Sequence, residues 1–301
     1  MTEKILSLKI DVDTDRGTRV GVPNLVRLFS EFNIPATFLF SLGPDNTGRA
    51  IKRIFRPGFL KKVSRSSVVS TYGLRTLMNG VLLPGPHIGK RNEKILRATF
   101  AAGHEVGIHC FDHIKWQDGL AKMAPDQVAA EFNKARHEFQ RIFGFNAKTA
   151  GAAGWQANAN SLSVYDQSQL DYASDARGSC PFFPRVEGVV YQTLQIPTNL
   201  PTLDELLGRP EYPMDSLTDF YLNQLSADRI NTFTLHAEIE GMTYLPWLRD
   251  FLTKAKSQKI SFIQVQDIAQ RALANPEAIP ICDLIQGTVD GRSGTMAVQQ
   301  G

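Results

Sequence analysis

Short apolar runs alternate with amphipathic stretches along most of this 301-residue chain. The first run, residues 4–13 (KILSLKIDVD), has the composition of a buried parallel strand that ends in turn residues. Apolar residues then recur at spacings of three and four from Val22 to Phe32, which predicts an amphipathic helix with Pro23 in its first turn. Residues 35–42 (PATFLFSL) form the second predicted strand. This order of strand and helix is typical of parallel βαβ units.

The same alternation returns near residue 92 and continues to residue 265. Further strands are predicted at residues 104–109, 147–153, 172–175, 189–196, 231–236 and 260–265, and further helices at residues 92–102, 125–143, 159–169 and 244–257. This repetition favours an α/β fold with a closed or nearly closed parallel barrel over an open sheet. We therefore expect residues 1–285 to form one domain. Residues 286–301 lack periodicity and are expected to be a mobile C-terminal tail.

The charge of the chain is unevenly distributed. Its formal net charge is only +3, yet residues 46–92 contain no acid and ten basic residues. These are Arg49, Lys52, Arg53, Arg56, Lys61, Lys62, Arg65, Arg75, Lys90 and Arg91. Removing this segment leaves a chain with more acidic than basic residues. The sequence therefore predicts an acidic barrel that carries a basic insertion after its second strand.

The insertion interleaves basic residues with Ile, Phe and Leu, as in AIKRIFRPGFLKKV. That pattern is typical of a segment that lies on an anionic membrane surface. A solvated basic loop is the simpler alternative, and a nucleic-acid-binding protein is a third. No recognised nucleic-acid motif supports the third. No uncharged apolar run is long enough to cross a bilayer and no signal peptide is evident, so we expect a peripheral protein.

Ionisable residues lie at the ends of the predicted strands. Asp11 and Asp13 close the first strand and share one face, since side chains two apart in a strand point the same way. His109 closes the third strand, and His113 follows four residues later. If the chain turns helical after His109, both imidazoles can bind the same metal ion. The carboxyl ends of barrel strands are where active sites are built. The residues therefore predict a common site.

Asp175 and His236 end two later strands in the same manner, so four separate segments contribute to the expected site. Two histidines and one carboxylate form a set of three protein ligands that leaves positions for water and substrate. Hydrolytic metal sites require such open positions. The pattern therefore favours a metal-dependent hydrolase.

The motifs as a group resemble a known family. These motifs are IDVDTDRGTR, GHEVGIH, AGAAGWQAN, YASDARG and the late pair Leu235-His236. In this order they resemble the NodB-type polysaccharide deacetylases, carbohydrate esterase family 4. The resemblance implies a distorted parallel (β/α) barrel of about seven strands and a divalent metal ion, whether zinc, cobalt or manganese.

Roles for individual residues follow from the same resemblance. It implies that Asp11 is the general base, with Asp13, His109 and His113 as the metal ligands. His236 would be the general acid. Asp175 would orient it.

Two departures from the family pattern concern the base. Val12 separates the two acids that are adjacent in the family, and residues 150–154 (AGAAG) lack the arginine that orients the base.

Within the family, the motifs are most similar to a branch that removes formate from 4-deoxy-4-formamido-L-arabinose carried on undecaprenyl phosphate. This resemblance implies a role in the aminoarabinose modification of lipid A. The protein is then expected at the cytoplasmic side of the bacterial inner membrane. We infer no obligate protein partner. Arg16 and Arg19 follow the first strand and either contact the substrate phosphate or are solvated surface charges. Deacetylation of another amino sugar is the alternative activity.

Overall fold

Eight parallel strands form the main sheet, and helices connect most of them. The computed structural model describes residues 4–50, 76, 78–229 and 231–301. Its strands are β1 (Ile5–Val12), β2 (Thr37–Ser41), β3 (Glu105–Cys110), β4 (Thr149–Ala150), β5 (Tyr172–Ala173), β6 (Phe183–Val186), β7 (Val189–Val190), β8 (Leu194–Gln195), β9 (Asn231–His236), β10 (Ser261–Ile263), β11 (Ile281–Gly287) and β12 (Met296–Gln300). Its helices of four or more residues in α conformation are α1 (Val22–Phe32), α2 (Ile88–Ala101), α3 (His113–Gly119), α4 (Pro125–Phe143), α5 (Ala159–Ser168), α6 (Leu203–Leu206), α7 (Met214–Gln224), α8 (Leu245–Ser257) and α9 (Val265–Leu273).

The main sheet has the order β10-β1-β2-β3-β4-β5-β8, and β9 pairs with the other edge of β1. Beyond β8, the backbone N–H groups of Asn199 and Leu200 donate to the Thr232 carbonyl of β9 at 3.3 and 3.4 Å. The sheet therefore curls until its two ends approach each other. This is the distorted barrel that the sequence predicts.

Strand β1 shows why the site lies inside the barrel. Leu6, Leu8, Ile10 and Val12 are fully buried and belong to the hydrophobic core. The alternate positions carry polar side chains, including Lys9 and Asp11, which are also buried. Because successive side chains of a strand point to opposite faces, one face of β1 packs in the core while the other brings charge into the barrel interior.

A second sheet involves the C-terminal residues. Its order is β12-β11-β6-β7, with β11 antiparallel to β12 and parallel to β6. We expected residues 286–301 to be a mobile tail, but the structure places residues 296–300 in β12, where Met296 and Ala297 are buried. Main-chain hydrogen bonds build most of this pairing. Because such bonds do not depend on side chains, the hydrophobic pattern of the sequence does not reveal the strand.

The basic insertion is described at residues 46–50, 76 and 78–92. The basic and apolar residues of the AIKRIFRPGFLKKV segment beyond Ala50 lie outside the described residues. Within the described ranges, none of the helices combines the length and the apolar character that crossing a bilayer requires.

Candidate active site

Asp13, His109 and His113 come together at the carboxyl ends of β1 and β3. The Nε2 atoms of His109 and His113 lie 3.2 and 3.4 Å from Oδ1 of Asp13. One ligand atom from each residue lies within 4.8 Å of the other two. His113 begins α3, where the Asp112 side chain caps the helix by accepting from the Lys115 N–H at 3.0 Å. The helical turn predicted after His109 thus places both imidazoles beside one carboxylate.

The donor set fits a divalent metal ion. Nδ1 of His109 lies 2.6 Å from the Gly151 carbonyl, to which it donates, so its Nε2 lone pair faces Asp13. A hydrogen bond of this kind commonly fixes the tautomer of a metal-binding histidine. Oδ1 of Asp13 is buried and has no hydrogen-bond partner among the residues that the structure describes. Lone pairs of nitrogen and oxygen that face each other across a small gap are what a cation would satisfy.

Burial and charged neighbours both act on the pKa values of Asp13 and His109. Burial acts to raise the pKa of Asp13, but His113 and His109 hold it well below its ordinary value. Burial acts to lower the pKa of His109, yet Asp11 and Asp13 raise it above its ordinary value. The carboxylate is therefore ionised at neutral pH, as a metal ligand must be.

Lys9 holds the carboxylate of Asp11. Its Nζ lies 3.4 Å from Oδ2 of Asp11, and both side chains are at most 3% exposed. The same ammonium donates to the Ser174 carbonyl at 3.2 Å and lies 5.2 Å from the centre of the Trp155 ring. Lys9 is not among the site residues that the sequence predicts. A lysine two positions before Asp11, within an apolar strand, was the signal that could have identified it.

His236 ends β9 directly beside Asp11, because the two residues are paired in the parallel register of β1 and β9. Its buried Nδ1 finds no hydrogen-bond partner in the described part of the chain, and it lies 3.9 Å from Oδ1 of Asp204. Its ring meets that of Trp155 edge to face, with centroids 6.3 Å apart. Burial lowers the pKa of His236, while Asp204 acts in the opposite direction. The candidate acid His236 and the candidate base Asp11 therefore both flank the group of Asp13, His109 and His113.

A model of the polysaccharide deacetylase family matches residues 3–173. The chain belongs to this family. It is 36% identical over 296 residues to a Shewanella sediminis protein named probable 4-deoxy-4-formamido-L-arabinose-phosphoundecaprenol deformylase ArnD, covering 98% of this chain and 94% of that protein. A protein of the same name from Wigglesworthia glossinidia brevipalpis is 32% identical over 286 residues, covering 94% of this chain and 98% of that protein.

The fold agrees with this polysaccharide deacetylase membership. A solved structure of a candidate polysaccharide deacetylase from Mycobacterium smegmatis superposes with a TM-score of 0.65 at 16% identity, covering 96% of each chain. At this identity the likeness shows the fold alone, and it confirms the predicted NodB-type barrel. The prediction of a hydrolase that acts on amide bonds is confirmed by the family and by the names of both curated relatives.

Asp175 departs from the role that the polysaccharide deacetylase resemblance implies for it. Its carboxylate accepts from the Ala152 N–H at 2.6 Å and from Nε2 of Gln195 at 3.0 Å. Burial raises its pKa to about 6. The expected contact with His236 is not formed within the described residues, where Asp204 takes that position. Asp175 instead holds the loop whose Gly151 carbonyl fixes His109, because β5 ends beside β4 rather than beside β9.

Glu238 holds the loop that carries Asp13. Its Oε1 accepts from the N–H groups of Asp13 and Thr14 at 3.1 and 2.8 Å, and from the Thr14 hydroxyl at 2.7 Å. Burial raises the pKa of Glu238 to about 8. A Cβ on Gly17 would lie 1.9 Å from the same oxygen, so only glycine leaves room for this carboxyl group. Its closeness to His236 in sequence gave no indication of this role.

Arg16 and Arg19 lie on the segment after Asp13. Arg19 is half exposed, and its Nε is 3.8 Å from Oδ2 of Asp15. Nη1 of Arg91, from the insertion, is 3.6 Å from the same oxygen. Basic side chains from two segments therefore meet at Asp15, close in sequence to Asp13.

Proposed function

We propose that this protein hydrolyses the formamide of 4-deoxy-4-formamido-L-arabinose carried on undecaprenyl phosphate, in a metal-dependent reaction. One observation carries the proposal. The Asp13, His109 and His113 group is flanked by Asp11 and His236, which are paired in register on adjacent strands. The two curated relatives, which match nearly the whole chain, supply the substrate by their names. The reaction would belong to the aminoarabinose modification of lipid A.

The Asp13, His109 and His113 group would hold the divalent ion, whether zinc, cobalt or manganese. When bound, such an ion polarises a carbonyl oxygen and lowers the pKa of water toward about 7. Asp11 takes the proton of the attacking water, and the ion pair with the buried Lys9 side chain holds its carboxylate in position. Lys9 thus takes the place of the arginine that the family uses to orient the base.

His236 supplies a proton to the departing amine, because an amide nitrogen leaves poorly unless it is protonated. Asp204, rather than Asp175, faces Nδ1 of this ring. A carboxylate at that position favours the protonated imidazole and restrains its orientation. Acid and base then lie side by side on neighbouring strands.

The activity is tested with purified protein and a formamido sugar linked to a short polyprenyl phosphate. Release of formate in equal amounts with the free amine is the expected result, and chelator should stop it. The matched acetamido sugar is the control for acyl specificity. Faster release of acetate than of formate would contradict the proposal and support the alternative deacetylase.

Substitution of Lys9 by Met tests how the base is held. Methionine retains most of the buried volume but removes the charge, so Asp11 loses the ion pair that holds its carboxylate in place. We expect kcat to fall up to about 100-fold, since misplacement by an ångström can have that effect. Metal content, measured by mass spectrometry, should stay stoichiometric. The Lys9→Arg variant should retain more activity than Lys9→Met, and equal activity in the wild type and Lys9→Met would contradict the assignment.

We also propose that the insertion docks on the anionic cytoplasmic leaflet of the inner membrane. Three consecutive apolar side chains, Val81, Leu82 and Leu83, are 54%, 76% and 40% exposed, and we call them the apolar rim loop. A Cβ on Gly80 would meet Asn46, whose Nδ2 donates to Oδ2 of Asp112 at 2.7 Å. Since Asp112 precedes His113, the apolar rim loop belongs to the same end of the barrel as the site.

Membrane docking is tested by co-sedimentation with phosphatidylglycerol and phosphatidylethanolamine vesicles. The Leu82→Ser/Leu83→Ser variant should bind several-fold more weakly, because apolar side chains buried at the interface contribute to affinity. Turnover of a soluble substrate analogue should be unchanged. Val189→Ser, which changes a residue 55% exposed on the second sheet, is the control and should bind normally. Absence of vesicle binding, or stronger binding to DNA at the same ionic strength, would overturn the proposal.

A further inference from the structure

Arg292 brings the C-terminal segment into the interior of the site. It lies between β11 and β12, and its side chain is 11% exposed. Its Nε lies 2.8 Å from Oε1 of Glu205, and its guanidinium carbon lies 4.4 Å from the centre of the Trp155 ring. This is the ring that meets His236 edge to face. Arg292, from the segment expected to be a mobile tail, thus contacts a ring that also contacts the candidate acid His236.

Asp204 connects Arg292 to His236. Nη2 of Arg292 lies 3.5 Å from Oδ1 of Asp204, the same oxygen that lies 3.9 Å from Nδ1 of His236. The Thr202 hydroxyl donates to this oxygen at 2.6 Å. Asp204 is next to Glu205 in α6, so two carboxylates lie close together. A cation that contacts both reduces their repulsion and restricts where the Asp204 carboxylate can point.

The backbone around Arg292 is itself fixed. Gly291 has φ +80°, and a Cβ on it would lie 2.3 Å from the Glu205 carbonyl. The Oε1 atom of Glu205 that Arg292 contacts also pairs with Nη1 of Arg177 at 2.6 Å. The Arg177 N–H donates to the Ala297 carbonyl, and its own carbonyl accepts from the Gln299 N–H. The approach of Arg292 therefore depends on β12 being in place.

We propose that Arg292 is a positioning residue for the proton donor of the reaction, one that holds the Asp204 carboxylate beside Nδ1 of His236. This rests on the proposed function in so far as His236 acts as the acid. The restraint on Nδ1 leaves Nε2 as the atom that donates a proton. The C-terminal segment is then a part of the active site, supplied from outside the strands of the barrel.

The groups that face His236 determine what a pH measurement shows. Burial lowers the pKa of His236; Asp204, Asp13 and Asp11 act in the opposite direction, and Arg292 acts in the same direction as burial. The backbone N–H of His236 donates to Oε2 of Glu240 at 2.7 Å. If Arg292 acted by charge alone, its removal would raise the pKa of His236. If it positions Asp204, its removal weakens a larger upward influence and the pKa falls. The two possibilities therefore predict opposite shifts.

The test compares the Arg292→Gln, Arg292→Lys and Asp204→Asn variants with the wild type. We expect Arg292→Gln to lower kcat up to about 100-fold at unchanged KM, with the alkaline limb of the pH profile moved to lower pH, as in Asp204→Asn. Arg292→Lys should restore part of kcat. The double variant Arg292→Gln/Asp204→Asn should be no slower than Asp204→Asn, because residues that act as a unit are not additive. The control is Asp290→Asn. Asp290 lies in the same segment as Arg292, and its substitution removes an exposed ion pair with Arg209, so this variant should match the wild type.

A measurement without catalysis separates this proposal from the proposed function. NMR titration of the His236 ring in the metal-free protein should give a lower pKa in Arg292→Gln than in the wild type. An upward shift, no shift, or a raised KM with an unchanged pH profile would overturn the positioning role. If the wild type released no formate, the proposed function would fail, while the titration would still decide whether Arg292 positions Asp204.

Discussion

Replacement of His109 or His113 by alanine is expected to abolish both turnover and stoichiometric binding of a divalent ion. Each variant leaves two protein ligands, and a hydrolytic metal site of this type needs three. The measurement is metal content by mass spectrometry, together with formate release. The barrel should remain folded, because neither His109 nor His113 belongs to the hydrophobic core.

His137→Ala is the matched control for this prediction, since His137 is exposed on α4, and it should retain full metal content and activity. A second readout uses stability. Because an ion that binds the folded state stabilises it, chelator should lower the melting temperature of the wild type but not that of His113→Ala. A full complement of metal in both histidine variants would contradict the assignment of these ligands.

The Asp11→Asn and His236→Ala variants should lose turnover but keep the metal. Both residues act on protons, and general acid or base catalysis typically contributes 10²- to 10⁴-fold. We therefore expect kcat to fall by about that factor at saturating substrate, with metal content unchanged. In Asp11→Asn the Lys9 ammonium is left without its partner, so a decrease in stability should accompany the loss of rate. Turnover near that of the wild type in either variant would show that its role is wrongly assigned.

The sequence was sufficient for the parts of the site that lie within or next to strong strands. Asp11, Asp13, His109 and His236 follow apolar runs whose carboxyl ends must meet in a parallel barrel. Local pattern specifies such positions because the strand direction and the turn chemistry are both visible in the sequence. The pairing of neighbouring parallel strands then determines where these residues lie in the barrel.

Residues that act through distant contacts could not be recognised in the same way. Asp204 lies in the four-residue helix α6, and Arg292 lies in a segment without periodicity. Their roles depend on the path of the chain between β8 and β9 and on β12, which only the assembled structure reveals. The resemblance assigned to Asp175 the position beside His236 that Asp204 occupies. Burial and hydrogen bonds distinguish them.

The contact of Glu238 with the loop after β1 joins residues 225 positions apart in the chain. Strand β1 likewise pairs with β9 and β10, so the site cannot be assembled by the N-terminal half alone. Folds dominated by such distant pairings form slowly, since long loops must close before the contacts are made. During refolding, the capacity to bind metal should therefore return with the slowest phase, well after the secondary structure seen by circular dichroism.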